Sequence, residues 1–281
     1  MRIERVLICI DGSDHAAVAL QQGSQLARAL DAEASLIALG SADGPTAAQA
    51  AEAAEALRSA GLSADARSCP GATPSIVREF SRPRDLLAFG IETEVGVALL
   101  RRPAAPHALA ARIGRPALIA GSRPGELRRL LVSVSGSSTS LLAARIGAYV
   151  AAAVGGTADI LHVADAMPGM FAGLERMEET ACEFLAAQTG ESHVAQHCAR
   201  VLEHHGLHGE VRLAWGDVVT EILRVAAEGS YDLIVVGPPP RHPAVFSLAL
   251  GDVTAGLIRS GHCSVLVAAP RRAPGAQPRR R

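Results

Sequence analysis

The sequence predicts an α/β protein built from two tandem, doubly wound domains, each with a five-stranded parallel sheet. Short runs of branched aliphatic residues alternate with longer segments of helical periodicity, as in βα units. The alternation restarts near residue 128. The two halves also keep register, because Gly12 lies as far before Ala34 as Gly136 lies before Ala158. Self-similarity of this kind indicates a duplicated domain.

The first domain is expected to cover residues 1–122. Its first strand, residues 6–10, is continuously apolar, which is typical of a strand buried on both faces, and Asp11-Gly12-Ser13 ends it. Four further strands are predicted at residues 34–39, 62–67, 86–89 and 117–120. The helices of this half are predicted at residues 16–30, 46–60, 73–80 and 103–113.

The second domain is expected to cover residues 128–270 and to repeat this order. Its first strand, residues 130–134, ends at Ser135-Gly136-Ser137. The other strands are predicted at residues 159–163, 211–214, 232–236 and 264–268. The helices are predicted at residues 141–153, over roughly 174–205, at 218–227 and in a segment that ends near Ser260. The arginine-rich residues 271–281 are expected to form a disordered basic tail.

The composition excludes several functional classes. All 27 basic residues are arginine, so a P-loop, Schiff-base or kinase-type lysine is impossible. The net charge of −1 argues against specific nucleic-acid binding. The five cysteines form no CxxC pair, which favours reduced thiols. The N-terminus does not resemble a signal peptide, and no uncharged run reaches the roughly 18 residues of a membrane span. We therefore expect a cytoplasmic protein without a membrane partner.

Four segments of the chain resemble the universal stress protein family in its tandem form. They are VLICIDGS near the N-terminus, LLVSVSGS at the start of the second half, GDVVTEILRVAAEGSYDLIVVG over residues 216–237, and HCSVLVA over residues 262–268. The resemblance covers nearly the whole chain. It implies a Rossmann-like fold of the adenine nucleotide alpha hydrolase type, whose two domains pair through their last strands. It also implies a stress-response module, regulatory or protective, rather than an enzyme.

The same resemblance implies an ATP site, with Mg²⁺, between the ends of the first and fourth strands. The family pattern has an aspartate after strand one and a G-x2-G-x9-G-[S/T] loop after strand four, whose N–H groups and hydroxyl would hold phosphates. In the second half Gly237 matches the first glycine, Pro240 replaces the second, and Gly251 arrives one residue late. Asp252 stands at the hydroxyl position, and Ser135 replaces the aspartate.

The first half keeps the motif after strand one but not the loop. Asp11-Gly12-Ser13 is intact, whereas the segment after strand four has no second glycine and carries Glu92 and Glu94, which would oppose a polyphosphate. The candidate nucleotide-binding residues are therefore Asp11, Gly12 and Ser13 in the first half and Ser135, Gly136, Ser137, Gly237, Gly251 and Asp252 in the second.

Two functional hypotheses follow, and a third is weaker. A nucleotide-binding switch requires the segment 135–137 and the loop 237–251 to converge on a cavity. A scaffold that acts through protein–protein contacts requires Pro240 and Asp252 to fill or repel that cavity. A hydrolase is the weakest hypothesis, because no base–nucleophile pair can be placed and the fold implies no reaction. Ser137, Ser138 and Thr139 are expected to cap the following helix. Association into further homo-oligomers stays open.

A group of histidines forms a separate feature of the second half. His193, His197 and His204 fall on nearly the same face of the predicted long helix. A metal site would use the first two with His208 or Cys198, although HVAQH lacks the glutamate of a zinc-protease helix. We expect instead a solvated or subunit-facing stripe, which at an interface would make assembly sensitive to pH near about 6–7.

Overall fold

The computed structural model describes residues 2–69, 85–90, 115–137, 139–164, 180–237 and 247–269, with the backbone alone over 247–252. The strands in these ranges are β1 (Arg5–Ile10), β2 (Glu33–Leu39), β3 (Ala64–Cys69), β4 (Asp85–Gly90), β5 (Ala117–Ala120), β6 (Arg129–Val134), β7 (Thr157–Ala164), β8 (Val211–Trp215), β9 (Leu233–Val236) and β10 (Ser264–Val267). The helices are α1 (Asp14–Ala29), α2 (Pro45–Ser59), α3 (Ser140–Ala153), α4 (Ala181–Ala186), α5 (Gly190–His204), α6 (Val218–Glu228) and α7 (Ser247–Ser260).

All of these strands belong to one sheet, in the order β3-β2-β1-β4-β5-β10-β9-β6-β7-β8. Neighbours within each half are parallel, whereas β5 and β10 pair antiparallel, with Ile119 opposite Val265. Each half therefore repeats the strand order 3-2-1-4-5, and the halves join through their last strands. The α/β fold class predicted from the sequence is confirmed.

Two apolar layers cover the faces of this sheet. Successive residues of a strand point to opposite faces, so Ile8 joins one layer and Leu7 the other. Each layer continues into the second half, where Val132 lies in the first layer and Ile234 in the second. The core is thus shared by both halves, and the sheet edge where they meet is not a solvent-filled gap.

Glutamine side chains of α1 also fasten the halves together. Gln25 donates to the carbonyl of Leu127 at 3.1 Å and accepts from its N–H at 2.8 Å, so the amide imitates a strand partner. Gln22, which is buried, accepts a hydrogen bond of 2.7 Å from the hydroxyl of Ser264 at the start of β10. Polar groups at this junction are therefore paired across the two halves, as burial requires.

The prediction of one long helix over 174–205 is wrong within the described residues. The chain forms α4, breaks, and restarts as α5. Gln188 adopts a left-handed backbone with φ 51°, which stops the first helix. Thr189 then accepts from the N–H of Ser192 at 3.1 Å and caps the second. This break places Glu191 in the first turn of a new helix, at the carboxyl edge of the sheet.

Other predictions differ less from the structure, or concern residues that it does not describe. The third strand runs over Ala64–Cys69, about two residues later than predicted, because its edge position gives it little apolar signal. The helices predicted at 73–80 and 103–113 and the tail at 271–281 lie outside the described residues. The domain limits 1–122 and 128–270 stay predictions.

Candidate functional site

The crevice of each half lies where its first and fourth strands end side by side. In an open parallel sheet this is the point where the strand order reverses and where ligands bind. In the second half the segment 135–137 follows β6, and Gly237 follows β9. A Cβ atom on Gly237 would lie 2.8 Å from the carbonyl oxygen of Thr139. The structure therefore brings Ser135, Gly136, Ser137 and Gly237 together, as the sequence pattern predicted.

Three hydroxyl groups line this crevice and contact one another. Ser135 Oγ lies 3.0 Å from Ser137 Oγ, which lies 2.7 Å from Thr139 Oγ1. Each of these two contacts uses one hydroxyl hydrogen. The three hydroxyls carry three hydrogens, so one hydrogen is not used within the chain. Ser140 Oγ is 3.4 Å from Ser135 Oγ, beyond the usual O–H···O distance. Among the residues that the structure describes, the chain of hydroxyls therefore keeps one donor for a ligand.

The crevice also lies at the N-terminus of α3, a helix of 14 residues. Thr139 occupies the N-cap position, yet its side chain makes no capping hydrogen bond. The expected capping role of Thr139 and Ser137 is therefore wrong, because their hydroxyls bond to each other instead. Backbone carbonyls already accept from the N–H groups of Ser140 and Leu142, so the helix end attracts an anion through its dipole.

The corresponding turn of the first half is closed on itself. Asp11 Oδ1 accepts from the N–H of Ser13 at 3.0 Å and from its hydroxyl at 2.7 Å. Ser13 Oγ in turn accepts from the N–H of Ala16 at 3.1 Å and caps α1. Gly12 supplies the left-handed backbone, φ 83°, that this turn requires. The three candidate residues of this half are thus adjacent, but they serve the local turn.

Glu191 and His162 belong to the second crevice, and the sequence pattern did not single them out. A Cβ atom on Gly136 would lie 2.6 Å from Glu191 Cγ, so the glutamate packs directly on the loop after β6. Glu191 Oε2 lies 3.4 Å from His162 Nε2. His162 is only 4% exposed, and its Nδ1 donates to the carbonyl of Val134 at 3.1 Å. The imidazole stacks on Phe184, with ring centroids 4.9 Å apart.

A comparison of the two halves could have found this pair. Val134 pairs with His162 across the strands, as Ile10 pairs with Ala38. A buried histidine therefore replaces an alanine at the matching position of the second strand. Residue 46 of the first half is a threonine and packs on Gly12 as Glu191 packs on Gly136. The available signal was a polar residue inside an otherwise apolar strand.

The remaining candidate nucleotide-binding residues of the second half are described only in part. Gly251 and Asp252 lie in α7, and only their backbone is described. Pro240, Glu92 and Glu94 lie outside the described residues. The glycine loop of the family pattern therefore stays a prediction.

The histidine stripe of α5 faces solvent. His193, His197 and His204 are exposed, and Cys198 is buried on the opposite side. Burial raises the pKa of the Cys198 thiol to about 12, which leaves it protonated. No group of three or more metal-binding side chains occurs in the part of the chain that the structure describes. Within the same ranges, no helix has the length and apolar character needed to cross a bilayer.

Comparisons with known proteins agree with this architecture. The Universal stress protein family matches residues 126–269. A solved structure from Pseudomonas aeruginosa PAO1, of unknown function, has 15% identity, a TM-score of 0.67, and coverage of 96% of this chain and 93% of its own. A universal stress protein from Archaeoglobus fulgidus DSM 4304 has 16% identity, a TM-score of 0.64, and coverage of 96% and 97%. At such identities the likeness shows the fold. No curated protein matches the chain in sequence.

Proposed function

Since the chain belongs to the universal stress protein family, we propose that it is a cytoplasmic stress-response regulator that binds ATP, with Mg²⁺, in its second half. One observation carries the proposal. The hydroxyls of Ser135, Ser137 and Thr139 form a chain at the ends of β6 and β9, and Thr139 packs against Gly237. This is the place where doubly wound sheets hold phosphates.

The chemistry of this crevice suits an anion. The spare hydroxyl hydrogen and the N-terminus of α3 both favour negative charge. Gly237 has no side chain, which lets the Thr139 backbone pack against it and brings the Thr139 hydroxyl to this strand end. Ser135 stands where the family pattern has an aspartate, so the second half departs from the pattern at this position. What it offers an anion is the group of hydroxyl donors, while the Glu191 carboxylate packs on Gly136.

We further propose that the first half does not bind a nucleotide. The Asp11 carboxylate and the Ser13 hydroxyl already have partners within the turn. Its contribution is to cover the edge of β10 and to complete the shared core. The chain would then act as a switch with one site rather than two.

The test is isothermal titration of the full chain with ATP and Mg²⁺. Ser137→Asp puts a carboxylate beside the phosphates and should abolish micromolar binding. Ser13→Asn is the control at the equivalent position of the first half, because asparagine can donate to Asp11 and is also a good helix cap, and it should bind as the wild type does. Thermal unfolding of each variant reports whether the fold is kept.

Two results would overturn the proposal. Heats equal to dilution for the wild-type protein would exclude the nucleotide switch and favour the scaffold that works through protein contacts. Loss of binding in Ser13→Asn, but not in Ser137→Asp, would move the site to the first half. Release of phosphate from ATP is expected to stay at the buffer rate, since we propose binding without catalysis.

A further inference from the structure

We infer that Glu191 binds the ribose of the nucleotide, accepting hydrogen bonds from its 2′- and 3′-hydroxyls, and so selects ribonucleotides over 2′-deoxyribonucleotides. The inference rests on the proposed function and adds the sugar class that the site accepts. It starts from the placement of one carboxylate against Gly136.

Glu191 is available to a ligand. Its side chain is 59% exposed, although its Cγ packs on the loop after β6. A carboxylate has two oxygens and about four sites that accept hydrogen bonds. His162 lies near one oxygen, Oε2. The rest of the carboxylate can therefore accept from a ligand in the crevice.

His162 holds this carboxylate in place. The imidazole is buried, bonded through Nδ1 to Val134 and stacked on Phe184, so its orientation is fixed. Its Nε2 is buried, has no hydrogen-bond partner among the described residues, and points at Glu191 from 3.4 Å. Polar atoms buried in this way usually serve a partner. When both ring nitrogens carry a proton, Nε2 faces the carboxylate as a donor, and His162 is then a positioning residue for Glu191.

The position of Glu191 separates it from the phosphate end. In the sheet, β6 lies between β9 and β7. The hydroxyls and Gly237 mark the β9 side of the loop, and Glu191 with His162 marks the β7 side. Neighbouring strands are about 4.8 Å apart, so the two ends are separated by roughly 5–10 Å, which suits a ribose joined to its phosphates.

A diol is the ligand group that fits this carboxylate. A phosphate at the same point would be repelled, whereas two vicinal hydroxyls donate two hydrogen bonds to one carboxylate. An acidic residue near the glycine turn reads ribose hydroxyls in other doubly wound sheets by the same physics. A nucleotide with a 2′-phosphate would bring negative charge against Glu191 and should be excluded.

The test compares ATP with 2′-deoxy-ATP by titration in the presence of Mg²⁺. The wild-type protein should bind ATP about tenfold more tightly, as expected for a lost hydrogen bond to a charged group. Glu191→Ala should remove the preference by weakening ATP alone. Glu203→Ala, an exposed glutamate later on the same helix, is the matched control and should keep the tenfold ratio.

The outcomes separate this inference from the proposed function. Equal affinity of the wild-type protein for the two nucleotides, or an unchanged ratio in Glu191→Ala, overturns the role of Glu191 and leaves the nucleotide site standing. Binding of neither nucleotide overturns both. Loss of the ratio in Glu203→Ala as well would show that the helix, rather than Glu191, sets the preference.

Discussion

The two crevices are built on the same strands and differ in how their polar groups are used. In the first half, Asp11 and Ser13 bond to each other and to the start of α1. In the second half, the hydroxyls of Ser135, Ser137 and Thr139 form a chain with one unused donor. Glu191 and His162 lie beside the loop after β6. The difference teaches that two copies of one turn can use their polar groups differently, because in the first half the side chains satisfy one another.

The two halves also differ at the amino ends of their strands, where we expect the largest effect of a substitution on stability. Asp85 forms two hydrogen bonds, of 3.2 and 2.6 Å, to the buried guanidinium of Arg5. Asp85→Asn leaves that charge without its counter-ion and should lower the free energy of unfolding by about 3–5 kcal/mol. The measurement is urea denaturation at neutral pH.

The second half provides the matched change. Asp232 accepts from the backbone N–H groups of Arg128 and Arg129 at 3.0 and 2.8 Å. Asp232→Asn keeps an acceptor oxygen, so it should cost about 1 kcal/mol or less. Equal losses in the two variants would show that the ends of the halves are energetically alike.

The N-cap residues of α1 and α3 allow the two crevices to be compared directly, because Ser13 caps its helix and Thr139 does not. Ser13→Ala removes a working cap and should cost about 1 kcal/mol of stability, with no change in ATP affinity. Thr139→Val removes a hydroxyl that caps nothing, so the stability should change little while ATP binding weakens about tenfold. Thermal unfolding and titration on both variants check this crossed pattern. A loss of affinity in Ser13→Ala would contradict it.

A pH dependence is also expected, and it belongs to the second half. Burial, and then the hydrogen bond and charge of Asp159, raise the pKa of Tyr231 to about 12. The unfolded tyrosine ionises near about pH 10, so the folded state holds this proton more tightly. The contribution of Tyr231 to the free energy of unfolding is complete below that pH and is lost as the pH rises toward 12.

The variant Tyr231→Phe should therefore flatten the fall of stability between about pH 10 and 12. Buried cysteines such as Cys9 and Cys263, whose pKa values burial raises to about 12, contribute to the same fall in both proteins. The measurement is the difference between wild type and variant in urea unfolding at pH 9 and 11. A difference that does not change between these values would reject the assignment.

Much of the fold could be predicted from residues alone. The strand at Ala117–Ala120 lies where the apolar run placed it, since a strand covered on both faces has a continuous apolar signal. The helix break at Gln188 was missed because one left-handed residue depends on the packing around it. His162 could have been found as a polar residue inside an apolar strand, whereas its contact with Glu191 joins distant segments and has no local pattern. The convergence of Ser135 and Gly237 was predictable, because adjacent parallel strands end at one edge.

The antiparallel pair of β5 and β10 has a consequence for how the two copies can change. An uncovered strand edge exposes N–H and C=O groups that recruit other chains, and each half removes this hazard for the other. The pairing edge is separate from the crevices, which lie at β1–β4 and β6–β9. In a duplicated chain of this design the crevice of one copy can change independently, because that copy still covers the edge strand of its neighbour.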